Sequence, residues 1–481
     1  MYPMKAPFSA YLDGIAPALR KISDALGETY DYVSILSTDS VGFSIGMSQR
    51  KKSVNNETLT TERGTVVRVY RNGLYSEYAF NELDPSDPSA AVREIRTALD
   101  AQLALLKATD TQVFDTAALP DEPLQLRVEK ETGRLPENED MEALVSFLSN
   151  LSDRGMAEVE GAVECSVRGS STHISKLFLT KNRDLRQSYV QSEGAIAVMA
   201  PNAAGEMKMA YKGVSGLGGP EIFDGLTDVL EQLPKMMKDL LRAEKIVPGE
   251  YEIITDPGIT GLIAHEAFGH GVEMDMFVKE RALGADYIGK RVGSENVTMH
   301  EGALCAESVT AYAFDDEGTL AGDVVEIDRG ILRAGISDAL SALRLGTEPT
   351  GNGKRQNFAH KAYARMTNTM FDSGTDSLDD MIASVSHGYL LSGSESGMED
   401  PKHWGIQCII SRGYEIRDGK LTGKVVSPVI MTGYVPDLLG NISMRSADRV
   451  VEGNGACGKG YKEWVKVADG GPYLKTKARL G

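Results

Sequence analysis

The chain has 481 residues, of which 42% are hydrophobic and 25% charged, and its 69 acidic and 51 basic residues give a formal net charge of −18. This length exceeds the size at which a single hydrophobic core usually stops growing, so two domains are expected. The acidic balance would repel a polyanion and excludes nucleic acid as a partner, and the lack of an apolar run of about eighteen residues predicts no membrane partner.

The first half of the chain predicts an N-terminal α+β domain with a mixed or antiparallel sheet. Apolar residues at helical spacing between Phe8 and Leu26 indicate a first helix, and Asn72-Gly73 between two alternating runs indicates a β-hairpin. The other predicted elements are strands at 32–37, 41–45, 65–70, 74–80, 161–168, 173–180 and 195–200 and helices at 89–107 and 138–151. A glycine-rich stretch at 214–220 marks the predicted boundary, giving domains 1–218 and 219–481.

The second half predicts a C-terminal domain rich in short strands, arranged as a curled or barrel-like sheet. The predicted elements are an amphipathic helix at 221–243, a strand at 251–255, an apolar helix at 259–268 and short strands at 324–327, 414–416 and 423–426. We expect Cys457 on a loop between late strands. The four cysteines are scattered and form no disulfide framework, which is typical of a reducing cytoplasm.

The most informative stretch is His265-Glu266-Ala267-Phe268-Gly269-His270, with two histidines five residues apart and a glutamate beside the first. In the H-E-x-x-H zinc motif the histidines are four apart on one helical face. A five-residue step rotates the second side chain by about 500°, so a regular helix would point the rings apart. Gly269 and Gly271 tolerate unusual backbone dihedrals, and an i→i+5 turn would bring the rings together. The alternative is two helix-end histidines that make ordinary hydrogen bonds.

A catalytic zinc site needs a third protein ligand and an open position for water. Cys457 is a candidate because glycines surround it and the neighbouring Lys459 would favour its thiolate. Cys305 remains possible in a loop-like stretch. Cys165 and Cys408 lie in alternating runs typical of strands and are expected to pack as small hydrophobic residues.

The same glycine-rich segment also resembles a phosphate-binding loop, since residues 453–459 satisfy G-x-x-x-x-G-K. The next residue is Gly460, where that loop needs Ser or Thr for Mg²⁺, and residues 464–467 alternate like a strand where a helix should begin. Nucleotide binding is therefore disfavoured.

The chain resembles the TldD/PmbA family, and specifically its catalytically competent, TldD-like branch. The most specific matching segments are 257–271, 365–368 (Arg-Met-Thr-Asn) and 455–459, with weaker ones at 63–69 and 192–194. The resemblance implies a zinc peptidase in which His265, His270 and Cys457 bind one zinc ion per active subunit and Glu266 is the general base. It also implies unfolded peptides as substrates and a two-domain dimer, either a homodimer or a heterodimer with an inactive paralogue.

Candidate substrate contacts are Arg365 and Asn368 and, in a loop that begins at Gly393, Met398. This loop could border a groove in which the peptide backbone pairs as an added strand. Two other functions remain open. The chain could be a non-catalytic assembly subunit with a structural zinc, which a fourth ligand such as Cys305 would favour, or a zinc hydrolase of non-peptide amides.

Overall fold

The structure is a computed structural model that describes residues 4–108, 114–460 and 463–481. In the N-terminal part, the strands are β1 Met4–Lys5, β2 Tyr32–Met47, β3 Lys52–Asn55, β4 Arg63–Arg71, β5 Leu74–Phe80, β6 Leu124–Glu129, β7 Glu131–Thr132, β8 Glu164–Thr180, β9 Arg183–Pro201 and β10 Met207–Leu217. The helices are α1 Ala10–Gly27, α2 Pro88–Ala108, α3 Met141–Glu158 and α4 Leu226–Leu241, with 3₁₀ turns at Pro136–Asn138 and Pro220–Gly225.

The large N-terminal strands form one mixed sheet in the order β10-β9-β8-β2-β4-β5, with β3 beside β2 and β6 parallel to β9. The predicted hairpin is present: Asn72 and Gly73, at φ 54° and 82°, form the left-handed turn between β4 and β5. Alternate residues of β2, such as Ile35 and Ile45, pack against α1 to α4 on one face. The mixed α+β domain is therefore confirmed.

The C-terminal part holds the remaining strands and several short helices. The strands are β11 Gly249–Thr255, β12 Met299–Glu301, β13 Val324–Asp328, β14 Ile331–Leu332, β15 Gly353–Lys354, β16 Tyr363–Ala364, β17 Asn368–Phe371, β18 His387–Asp400, β19 Gly405–Arg417, β20 Lys420–Val426, β21 Val429–Tyr434, β22 Met444–Lys459 and β23 Glu463–Leu480. The α-helices are α5 Pro257–Ile263, α6 Met274–Val278, α7 Ala339–Leu345, α8 Leu378–Ala383 and α9 Val435–Gly440, with 3₁₀ turns at His270–Val272 and Leu283–Tyr287.

The C-terminal sheet closes on itself. β11 pairs in parallel with β18 and antiparallel with β23, and the circuit is completed through β19 and β21. Apolar residues of these strands surround a core that includes Ile259, Ile263 and Phe268 of the segment after β11. The predicted barrel-like sheet is confirmed, and its core holds the segment that carries the two histidines.

Several predicted boundaries were wrong. The strands predicted at 32–37 and 41–45 are one strand, β2, and those at 161–168 and 173–180 are one strand, β8. The expected loops at Gly393 and Cys457 are the strands β18 and β22. Glycine and serine in these strands resemble loop residues in the sequence, but here glycine allows other chain segments to approach the strand closely.

The two parts of the chain pack extensively against each other. Leu36 and Phe178, on the sheet face opposite the helices, contact Phe314 of the C-terminal part. The division after residue 218 stays a prediction. Because the apolar face of α4 packs on the N-terminal sheet, we favour a boundary after Leu241. In the described ranges, no helix is both long and apolar enough to cross a membrane.

Candidate metal centre

The helix that carries the motif begins directly after β11. The Asp256 side chain caps it by accepting a hydrogen bond from the Ile259 N–H at 3.0 Å, and Pro257 occupies the first helical turn, where its missing N–H costs little. Ile259 and Ile263 are buried in the barrel core. This packing fixes the position of the helix before the chain reaches His265.

The helix then widens into a π-helical turn at Ala264–Gly269. The backbone N–H of His270 donates to the carbonyl of His265, five residues earlier. The imidazole rings lie 5.1 Å apart, at 85° to each other. Gly269 is required here, because a Cβ at this position would lie 2.0 Å from Sδ of Met366. The expected i→i+5 turn is confirmed.

Cys457 reaches the same point from β22. It pairs with Val465 of β23, and its Sγ lies 3.3 Å from Nε2 of His270. His265, His270 and Cys457 each offer one possible ligand atom, and these three atoms lie within 4.8 Å of one another. The structure therefore brings the three predicted ligands together, although they come from positions almost 200 residues apart in sequence.

The electrostatics of the site favour a thiolate. Burial raises the pKa of the Cys457 thiol, but hydrogen bonds with His265 and His270 outweigh this and lower it to about 5. From the sequence, we assigned this effect to Lys459. That assignment was wrong, because the Lys459 ammonium instead pairs with Glu273 and Asp275, at 3.0 and 2.6 Å.

Glu273 contacts the metal centre and was not predicted from the sequence. Its Oε2 lies 3.2 Å from Nδ1 of His270 and 3.0 Å from the Lys459 ammonium. Burial alone would raise the pKa of Glu273, but these two cationic neighbours lower it to about 2. A carboxylate on the second nitrogen of a metal-binding imidazole fixes the ring and its tautomer. The signal in the sequence was its position, three residues after His270.

Glu266 is buried beside the two histidines and contacts β18. A Cβ on Gly397 would lie 2.4 Å from Cγ of Glu266, so only glycine leaves room for this side chain. Glu399, two residues further along the same strand face, is also close to the site, and burial raises its pKa to about 9. The general-base candidate is therefore held against a strand with an acidic neighbour.

Three further predicted residues have clear positions. Arg365 is only 1% exposed and donates to the carbonyls of Cys457 and Glu463. Asn368 is fully buried, and its amide donates to the carbonyls of Gly302 and Ala306. Met398 is 65% exposed on β18. The first two support backbone segments, and substrate contact by any of the three stays a prediction.

Cys305 lies away from the three clustered side chains. Its thiol donates to Oδ1 of Asp323 at 3.1 Å, and burial raises its pKa. In the described ranges, the cluster with metal-ligand spacing contains His265, His270 and Cys457. Cys165 and Cys408 are buried on β8 and β19, as predicted.

The donor set fits zinc. Two imidazoles and a thiolate are the borderline-soft ligands that zinc prefers, and three protein ligands leave one position open. Nδ1 of His265 is buried and has no hydrogen-bond partner among the described residues, which fits a ring that binds an ion or water. The three residues are thus suited to hold a zinc ion.

Comparisons with known proteins find metalloproteases among the relatives of this chain. Residues 248–478 match the PmbA/TldA metallopeptidase C-terminal domain. The chain is 28% identical over 421 residues to a metalloprotease of Methanothermobacter thermautotrophicus, covering 86% of this chain and 87% of that one. It is 30% identical over 260 residues to the zinc metalloprotease TldD homolog of Saccharolobus solfataricus, covering 53% and 57%. Its fold resembles that of TldE from Thermococcus kodakarensis, with a TM-score of 0.76 and 16% identity over 96% of this chain and 100% of that one.

Proposed function

The chain belongs to the TldD/PmbA family, and from that premise we propose that it is a zinc-dependent peptidase that hydrolyses unfolded peptides or small unfolded proteins. The observation that carries the proposal is the cluster of His265, His270 and Cys457 with Glu266 beside the first histidine. Relatives named metalloproteases support the reaction class.

Each side chain of the site has its own role in hydrolysis. His265, His270 and Cys457 would hold the ion, which supplies Lewis acidity and lowers the pKa of a coordinated water. Glu266 accepts a proton from the attacking water and returns one to the leaving amine. Glu273 keeps the His270 ring in place through Nδ1. The Gly397 contact holds Glu266 beside the two histidines.

The edge of β18 suits an extended peptide. β11 pairs with β18 only from Gly388 to Leu391, so among the described strands the segment 394–400 pairs with β19 alone. This leaves one edge of N–H and C=O groups beside Gly397, which faces Glu266. A peptide added as a strand would be bound through its backbone, with Met398 exposed beside it. An unfolded peptide has free backbone N–H and C=O groups along its length and can pair in this way.

Two alternative functions differ from this proposal, one in its metal site and the other in its substrate. A non-catalytic assembly subunit with a structural zinc would close the ion with a fourth protein ligand. Cys305 does not serve this purpose here, since its thiol contacts Asp323. A zinc hydrolase of non-peptide amides would use the same metal centre, and it is distinguished by the substrate alone.

We further propose that the protein works in the cytoplasm as a dimer, either with a second copy or with an inactive paralogue. Its four cysteines are free, and the cluster needs Cys457 as a reduced thiolate. One solved structure of similar fold is TldE from Thermococcus kodakarensis. Mass in solution of the protein purified alone tests the homodimer, and a monomer would favour a paralogue as partner.

The direct test compares the wild type with Glu266→Gln. Both proteins are assayed for bound zinc and for cleavage of a denatured peptide. We expect both to bind one zinc per chain, and the variant to lose at least about 10²-fold in turnover, because general-base catalysis contributes that much or more. Undiminished turnover by the variant would refute the proposed mechanism. Cleavage by the wild type of a non-peptide amide, but not of the denatured peptide, would favour the second alternative.

A further inference from the structure

A cavity of about 70 Å³ lies between the two parts of the chain, outside the metal centre. Its lining includes Glu62 and Tyr189 from the N-terminal part and Tyr312, Lys354 and Trp464 from the C-terminal part. A water-sized probe occupies about 10–15 Å³, so the cavity has room for about five non-hydrogen atoms or slightly more. Both charged and aromatic groups face it.

Most charged side chains around this cavity already have ion-pair or hydrogen-bond partners. The satisfied contacts are Lys176 with Asp316, Arg355 with Glu77, Lys466 with Glu193, and Asp315 with the backbone N–H groups of Glu317, Thr319 and Gly353. In the described part of the chain neither Lys354 nor Glu62 forms an ion pair, and each keeps unused hydrogen-bonding capacity. Asp315 also lacks an ion pair, but its carboxylate already accepts from three backbone N–H groups. One cation and one anion with unused hydrogen-bonding capacity therefore line the same cavity.

Lys354 retains hydrogen-bonding capacity. Its ammonium donates to the carbonyls of Met366 and Lys466, at 3.1 and 2.6 Å. An ammonium has three N–H donors, so one is left for a further acceptor. Burial lowers the pKa of Lys354 to about 7, which is expected of a cation without an anionic partner. A carboxylate in the cavity would supply both the acceptor and the charge.

The Glu62 carboxylate also has unused hydrogen-bonding capacity, as an acceptor. One carboxylate oxygen, Oε2, accepts a hydrogen bond from the Phe358 N–H at 2.7 Å. A carboxylate offers more acceptor sites than this single contact uses. Burial raises the pKa of Glu62 to about 7, because nearby cations such as Lys176 only partly offset the desolvation. An ammonium group in the cavity would stabilise the charged form.

We propose that this cavity binds a small zwitterion, a free amino acid of about the size of glycine or alanine. Lys354 receives its carboxylate and Glu62 its ammonium group. Glycine has five non-hydrogen atoms, which matches the available room. Because Glu62 and Lys354 come from different parts of the chain, the ligand bridges them, so its binding stabilises their association. The lining of the cavity contains none of His265, His270 and Cys457.

The test is calorimetric titration of the full-length protein with glycine, alanine, glycylglycine, acetate and methylammonium, with and without zinc. We expect saturable binding of one glycine or alanine per chain, and at least about tenfold weaker binding of the two singly charged compounds, since each lacks one charge-assisted contact. Acetate binding as tightly as glycine, binding of glycylglycine alone, or no saturable heat at millimolar glycine would each overturn the proposal.

Variants identify the two charged groups. Glu62→Gln should weaken glycine binding at least about tenfold while leaving acetate binding unchanged, and Lys354→Met should weaken both. Lys208→Met, which removes a surface ion pair with Glu206, is the matched control and should bind glycine normally. If Lys354→Met fails to fold, Glu62→Gln alone tests the proposal. Unchanged selectivity of Glu62→Gln for glycine over acetate would contradict the role of Glu62 in binding the ammonium group.

Discussion

Arg365 donates a hydrogen bond from Nη2 to the carbonyl oxygen of Cys457 at 2.6 Å. The same guanidinium reaches the carbonyl of Glu463 on the partner strand of the hairpin, so a single buried side chain joins the ends of β22 and β23. A residue predicted to contact substrate thus supports the strand that presents the third metal ligand. Its neighbour in sequence, Met366, packs against Gly269 of the π-helical turn.

This contact predicts that Arg365→Met lowers zinc affinity without removing a ligand. Loss of the bond removes the charged donor from the buried Cys457 carbonyl, a contact worth about 1.5–3 kcal/mol, and frees the strand to shift. Competition with a chelator should show affinity reduced by about 10-fold to 100-fold. Arg412→Met, at another buried arginine that bonds to Tyr414 and Ser392, is the control. Equal zinc affinity in the two variants would contradict the supporting role.

Glu273→Gln should weaken zinc binding by about 10-fold to 100-fold, because the His270 ring loses the carboxylate that orients it. Asp275→Asn provides a matched control, since Asp275 pairs with the same Lys459 but does not contact His270. We expect the control to retain near-normal zinc affinity in the same competition assay. Equal losses in both variants would mean that Lys459, rather than the imidazole contact, determines the effect.

Gly397→Ala should retain zinc and lose activity. The added methyl would lie 2.4 Å from Cγ of Glu266 and displace the carboxylate from the attacking water. A displacement of about 1 Å costs on the order of 10²-fold in rate. Gly405→Ala, where the structure leaves open space, is the control and should turn over peptide normally. Normal turnover by Gly397→Ala would exclude the close packing of Glu266 on β18.

Acid should loosen the contact between the two parts of the chain. Glu77 binds Arg68 and Arg355, both at 2.6 Å. Burial raises its pKa, but the two arginines outweigh this and hold it well below the ordinary value. The stabilisation is fully present above the unfolded pKa of about 4.3 and is lost as the pH falls through the lower folded pKa.

Glu77→Gln should therefore reduce the free energy of unfolding at neutral pH by about 3–5 kcal/mol, since it leaves the buried Arg355 without its anion, while Arg68 keeps its ion pair with Glu317. Chemical denaturation at several pH values measures this, and the gap between wild type and variant should shrink in acid. Glu129→Gln, in an exposed pair with Arg127, should cost at most about 1 kcal/mol. A gap that stays constant down to strongly acidic pH would contradict the assignment.

The local features of the site could be predicted from the sequence. The five-residue gap between His265 and His270 required an i→i+5 turn, since the backbone geometry alone fixes where side chains point. The hairpin at Asn72-Gly73 was equally local, because few residues adopt left-handed dihedrals readily. Each of these depends on neighbouring residues only.

Features that depend on distant contacts could not be predicted in the same way. Glycine-rich segments at Gly393 and Cys457 resemble loops, yet they form strands because the closed sheet supplies pairing partners far away in sequence. The pairing of Lys459 with Glu273, rather than with the Cys457 thiolate, likewise follows from the arrangement of the barrel. A charged side chain can form its ion pair with a residue that is close in the fold instead of interacting with its neighbour in sequence.

The central claim is that two imidazoles and one thiolate hold a single zinc ion with one position left for solvent. X-ray absorption at the zinc edge of the loaded protein tests it most directly. We predict one sulfur at about 2.3 Å and three nitrogen or oxygen neighbours at about 2.0–2.1 Å, with the sulfur lost in Cys457→Ser and retained in Cys305→Ser. A shell without sulfur, or one with two sulfurs and no exchangeable oxygen, would contradict the account.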